Sequence, residues 1–145
     1  MRKNEGFYTL NGYRRNEKND DFLTSSMEDY LEMLARIGTE KEVLRLGDIS
    51  KSLHVKPSSA SKMMLLLKKT GYISFEKYGH ISLTQKGVEA GNYLLYRHKV
   101  INEFLCALNG SISELEQTEK IEHFIEKKTV DNLKMLTDKI KNTDK

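Results

Sequence analysis

The chain has 145 residues, 38% hydrophobic and 31% charged, with a net charge of +3, enough for one compact unit or two small lobes around a modest core. No apolar run approaches the ~18 residues of a membrane span, and the opening MRKNEGFYTL has no apolar signal-peptide segment. The single cysteine, Cys106, excludes an intramolecular disulfide framework, so the expectation is a cytoplasmic protein with no membrane partner.

Charge is spread unevenly along the chain. Residues 1–20 carry a net +2, residues 21–44 a net −4, residues 45–86 a net +6 and residues 87–145 a net −1. A basic block between acidic or neutral segments is the pattern of a nucleic-acid footprint.

Residues 1–22 are polar and aperiodic, which predicts a basic N-terminal arm with one ordered turn near residues 7–10. The first helix is predicted at SSMEDYLEMLARI, where Ser25 and Glu28 have capping-box spacing and Met27, Tyr30, Leu31, Leu34 and Ile37 make an apolar stripe. Asp29 and Glu32, three apart, share a face of it. Two short helices follow at about 46–53 and 57–70, separated only by HVK. Leu46, Ile49 and Leu53 form the inner face of the first, and Ala60, Met64 and Leu67 that of the second. Pro57 suits a first helical position and Gly71 a helix end. YISFEKYGHISLT alternates on either side of Tyr78-Gly79-His80, which predicts a β-hairpin.

From Thr84 a long helical pattern runs to Asn109-Gly110. SISELEQTEKIEHFIE reads as a further helix, capped through Ser111/Glu114 or Ser113/Glu116, and TVDNLKMLTDKIKN as a last one, with Thr129 as N-cap. Val130, Leu133, Leu136 or Thr137, and Ile140 form the stripe of that last helix. The expected fold is mainly α with a small β-hairpin wing. A winged helix-turn-helix DNA-binding domain spans residues 23–84, and a long linker helix with an all-helical dimerisation and metal-binding domain spans residues 85–145.

A recognition helix enters the major groove by its N-terminal end. Lys56, Pro57, Ser58, Ser59, Ser61 and Lys62 open the second motif helix with small and basic residues suited to phosphates and base edges. Lys77, Tyr78 and His80 mark the wing tip. Taken singly, the serines could be plain caps and Lys68 and Lys69 a solvated face. The ordered succession of motif, wing and local charge points to double-stranded DNA.

Glu119, Glu122 and His123, at i, i+3 and i+4, would stack on one helical face. His98 lies on a stripe with Leu94, Ile101 and Leu105. Each has a plain reading as well: a solvated acidic face, first-turn acids for Asp29 and Glu32, and a core histidine. The residues alone leave both readings open.

The segments SMEDYLEM, VKPSSASKM, GYISFEKYGHISLTQKG, LLYRHKV and EKIEH, in that order over about residues 23–140, resemble the diphtheria toxin repressor family of metalloregulators. The resemblance is to its manganese transport regulator branch. It implies metal ligands at Asp29, Glu32, His98, Glu119, Glu122 and His123. In the iron-responsive branch the position of Asp29 resembles a Met and that of Glu119 a Cys. Four carboxylates and two imidazoles suit Mn2+ better than a thiolate-seeking metal, and four negative charges match two divalent ions per subunit. Fe2+, Zn2+, Cd2+ or Co2+ would substitute.

The resemblance further implies a homodimeric repressor on a palindromic operator, silencing manganese uptake genes when manganese is abundant. It implies neither an enzyme nor a protein with a small organic substrate. The shorter form of the family is expected, without the SH3-like domain of its longer members. Phe124 stands where relatives often have a second histidine, and the arm has no counterpart. An iron-responsive or organic-ligand-sensing winged-helix repressor shares the same architecture. A metal-dependent hydrolase using the same carboxylates is supported by no HExxH-type motif and by no identifiable nucleophile or substrate cleft.

Overall fold

The structure, a computed structural model, describes Thr9, residues 23–38 and residues 44–143. Apart from Thr9, the expected arm and its turn lie outside the described residues. The elements are α1 (Ser25–Gly38), α2 (Leu46–Ser52), α3 (Pro57–Lys69), β1 (Ile73–Phe75), β2 (Ile81–Leu83), α4 (Gln85–Asn109), α5 (Leu115–Ile121) and α6 (Lys127–Thr143). Single 3-10 turns occupy Lys77–Gly79 and Glu122–Phe124.

Local chemistry explains most boundaries. Thr24 opens α1: its Oγ1 accepts from the Met27 N–H at 3.2 Å and its carbonyl from the Glu28 N–H at 2.9 Å. The cap therefore lies one residue before the expected Ser25, and the Glu28 carboxylate is left for other partners. Pro57 stands at the start of α3. That helix ends in a Schellman motif, with Tyr72 N–H on the Leu67 carbonyl, Gly71 N–H on that of Lys68, and Gly71 at φ 88°. The strands pair antiparallel as Ile73↔Leu83, Ser74↔Ser82 and Phe75↔Ile81. Thr84 caps α4 by accepting from the Gly87 N–H, and a left-handed Gly110 ends it.

The C-terminal third departs from expectation in three places. First, α5 begins at Leu115 and neither Ser111 nor Ser113 caps it. The Asn102 side chain takes the Glu114 N–H at 2.9 Å, and Ser111 donates to the Glu114 carboxylate at 2.6 Å. Second, EKIEH is not one helical face. The α-helix stops at Ile121, and the chain tightens into the 3-10 turn that carries Glu122 and His123. Third, α6 starts at Lys127, ahead of the expected cap Thr129, and buries Thr137 while Leu136 stays exposed.

Two apolar cores are threaded on α4. The first joins α1, α2, α3 and the hairpin through Leu31, Leu34, Ile49, Met64, Leu67 and Ile81, and reaches α4 at Leu94. The second holds Val100, Ile101 and Leu105 of α4 against Val130 of α6. Helices α1 and α4 cross closely: a Cβ added at Gly91 would lie 2.7 Å from the Ala35 Cβ, an approach that only glycine permits. Between the two cores, on the same stretch of α4, sit Arg97 and His98.

Candidate metal centre

All six sequence-selected donors converge on that seam. Glu32, His98, Glu119 and Glu122 form one group and Asp29, Glu122 and His123 another; within each group one donor atom per residue lies within 4.8 Å of the others. Glu122 belongs to both. His98 Nδ1 stands 2.8 Å from Glu122 Oε2 and 3.4 Å from both Glu32 Oε1 and Glu119 Oε1. His123 Nε2 stands 3.0 Å from Asp29 Oδ1 and 3.9 Å from Glu122 Oε1. The Glu122 side chain is fully buried, while that of Glu119 is 53% exposed. A cleft of about 320 Å³ lined by Asp29, Glu32, His98 and Glu119 opens onto the first group.

The 3-10 turn explains the division of labour. Glu119, still on α5, joins His98 and Glu32, whereas His123, beyond the helix end, joins Asp29. Asp29 and Glu32 come from α1, in the N-terminal lobe, so both groups bridge the two cores.

Concentrating carboxylates in a low-dielectric seam has an electrostatic cost. Burial pushes the Glu32 carboxyl up to about 7 from its ordinary 4.5, aided by the charges of Glu122 and Glu119 and opposed by His98 and Arg36. Burial likewise raises Asp29 and Glu119. The hydrogen bond to Glu122 raises His98 against its own desolvation. Protons thus occupy part of the centre near neutral pH. Glu122 Oε1 is buried without a hydrogen-bond partner, an uncommon state for a carboxylate oxygen and one that a cation relieves.

Sequence reasoning missed Glu28, Arg97 and Arg36. The Glu28 carboxylate meets Arg97 Nη1 and His123 Nδ1, each at 3.0 Å, and Arg36 Nη2 meets Glu32 Oε1 at 3.0 Å. The only available signal was the arginine beside the histidine of YRH. A charged residue on a stripe that continues into a core needs a buried counter-charge.

In the N-terminal lobe, Lys56, Pro57, Ser58, Ser59 and Lys62 at the start of α3 are exposed and Ser61 is half-buried. Lys77 opens the wing-tip turn, Tyr78 is 89% exposed at φ 64°, and His80 is half-buried behind it.

Comparison with known proteins matches two family models in tandem. Residues 22–81 match the iron dependent repressor N-terminal DNA binding domain, and residues 84–144 match the iron dependent repressor metal binding and dimerisation domain. The chain belongs to the iron dependent repressor family. It is 37% identical over 111 residues to the HTH-type transcriptional regulator MntR of Bacillus pumilus, covering 76% of this chain and 77% of that protein. Among solved structures it resembles ScaR with bound Zn2+ (29% identity, TM-score 0.66, 77% of this chain and 53% of that one). It also resembles the manganese-activated repressor ScaR in its apo form (27% identity, TM-score 0.65, 76% and 53%). The chain spans about half the length of these solved relatives.

Membership in the repressor family bears out the expected fold, a mainly helical chain with a winged helix-turn-helix, and the reading as a regulator and not an enzyme. DNA binding, metal binding and dimerisation are the functions of the matched domains. Among the described residues, no helix is long and apolar enough to cross a membrane.

Proposed function

We propose that this repressor responds to Mn2+ and binds a palindromic operator as a homodimer, its DNA-binding lobe spanning residues 23–84 and its metal-binding and dimerisation lobe residues 85–145. Each subunit has two metal sites that share Glu122. Glu32, His98, Glu119 and Glu122 hold one ion; Asp29, Glu122 and His123 hold the other. The observation that carries this reading is Glu122 itself, fully buried, common to both donor groups, with one oxygen lacking any hydrogen-bond partner. A bound divalent ion supplies the positive charge that four crowded carboxylates need.

The donors are oxygen and nitrogen only. Cys106 lies further along α4, with its thiol 3.7 Å from Asn102 Oδ1, and belongs to neither group. Such a set suits a hard ion, and the ScaR relative is described as a manganese-activated repressor. Zn2+, present in one ScaR structure, and Fe2+, Co2+ or Cd2+ fit the same atoms, so selectivity rests on geometry and supply.

Asp29 and Glu32 then hold α1 on α4, and α1 carries the core on which α3 packs. The second lobe leaves Leu108, Ile112 and Met135 exposed, apolar surface suited to a second copy. A dimer with fixed α3 helices reads two half-sites at one spacing. Metal and DNA affinities must therefore be linked reciprocally.

The test is a mobility shift on a palindromic duplex recovered by in vitro selection with the Mn2+-loaded protein. Retention with Mn2+ and release by chelator are expected. Equal binding in both conditions overturns the metal-gated reading.

A further inference from the structure

Glu28 belongs to neither donor group, yet it touches the His123 nitrogen that faces away from them. We propose that Glu28, clamped by Arg97, is a positioning residue that fixes His123 as its Nδ1–H tautomer and aims the Nε2 lone pair at Asp29 and Glu122. The inference rests on the reading of Asp29, Glu122 and His123 as a metal site.

With Nε2 as the donor to a metal ion, the contacts leave one consistent assignment. His123 Nδ1 lies 3.0 Å from Glu28 Oε1, and Glu28 Oε2 lies 3.0 Å from Arg97 Nη1. A carboxylate only accepts, so the ring nitrogen beside it carries the hydrogen. Arg97 Nη2 also approaches Nδ1, at 3.4 Å, and as a donor it would require the other tautomer. The shorter contact, to the full charge of Glu28, decides between them. Nε2 faces Asp29 Oδ1, likewise at 3.0 Å, so without a cation a proton shared with Asp29 holds that contact, and a cation that replaces the proton leaves Nε2 as the lone-pair donor.

Burial makes the arrangement firm. Side-chain exposure is 13% for Glu28, 4% for Arg97 and 8% for His123, so water competes little for any of them. Arg97 balances the Glu28 charge in this setting, which a buried carboxylate needs. His98 is presented differently, since its Nδ1 is the nitrogen that faces Glu32, Glu119 and Glu122. The two imidazoles enter the centre through different nitrogens, and only His123 needs a tautomer set by Glu28. Outer hydrogen bonds of this kind orient a ligating imidazole.

Nitrogen-15 NMR of the metal-free full chain, labelled in histidine and assigned with His123→Gln, reads the tautomer without metal. The wild type is expected to show His123 protonated at Nδ1, and Glu28→Ala to lose that preference. Mn2+ titration followed by electron paramagnetic resonance is expected to show one of two ions bound about 10–100-fold more weakly in Glu28→Ala. Glu28→Gln keeps an acceptor oxygen toward Nδ1–H and is expected to restore the tautomer and most of the affinity. A glutamine variant as impaired as the alanine one overturns the positioning role in favour of a purely structural ion pair. His123 protonated at Nε2 alone in the wild type overturns it even if Glu28→Ala does not fold. Failure of the metal-site reading looks different: the wild type would show the Nδ1–H tautomer and bind no ion at this group.

Discussion

Residues 56–80 expose Lys56, Pro57, Ser58, Ser59, Lys62 and Tyr78 within one short stretch of chain, whereas the donor groups gather Asp29, His98 and Glu122 from three separate elements and leave Glu122 no exposure at all. A surface for a polyanion can keep its charges solvated and let local helices carry its stability. A cation centre must bring like charges together away from water. Two apolar cores, one on each side of Arg97 and His98 along α4, hold that arrangement closed. The exposed face of residues 56–80 is therefore close to its relaxed state by itself, while the clustered carboxylates hold unfavourable electrostatic energy that a bound cation would release.

The sharpest way to break this contrast is to remove the shared carboxylate. Glu122→Ala is expected to abolish binding of both ions, a larger loss than the ~10–100-fold typical of an outer-sphere partner. Calorimetric Mn2+ titration checks it, and salt-sensitive binding to non-specific DNA is expected to persist. Retention of one tight ion would mean that the two groups do not share Glu122.

A middle-sized effect is expected from pH. The Glu32 pKa is raised to about 7 and that of His98 lies above its ordinary 6.5, so the folded chain binds more protons than the unfolded one in that range. Their contribution to stability is complete below about 4.5 and 6.5 respectively, and is lost as pH rises through the folded values. Thermal unfolding in chelator is expected to show a falling midpoint between about pH 5 and pH 8. Mn2+ is expected to reverse the trend, because the ions replace those protons. A flat profile in chelator would mean that the centre is not electrostatically strained.

The smallest expected effect is on the DNA face. Lys62→Ala is expected to lower the salt dependence of operator binding by about one unit of slope and to leave Mn2+ affinity unchanged. A loss of Mn2+ affinity would show that the two regions are less separate than their construction implies.

Much of this was legible before the structure. Pro57, Gly71, Thr84 and Gly110 stand at the ends of α3 and α4 as local rules require, because caps and left-handed positions depend only on near neighbours. The apolar stripes of α1 and α3 point inward as their spacing predicts. Less legible were the features that depend on distant chain. Ser25 and Glu28 have capping-box spacing, but Thr24 takes the cap and Glu28 turns to Arg97, 69 residues away. Ser111 and Ser113 have good capping chemistry, but Asn102 reaches the Glu114 N–H first.

The six candidate donors stood out only through a family resemblance; by itself, the sequence determined the succession of helices and hairpin and the basic block at residues 45–86. These follow from periodicity, turn chemistry and residue type, which act over a few positions. Only the tertiary structure decided that EKIEH breaks after Ile121, that Glu122 is common to two donor groups and that the Glu28 carboxylate meets His123 Nδ1. Those outcomes depend on how two cores sit along one helix, and hence on packing between residues too far apart in the chain for any local pattern to record.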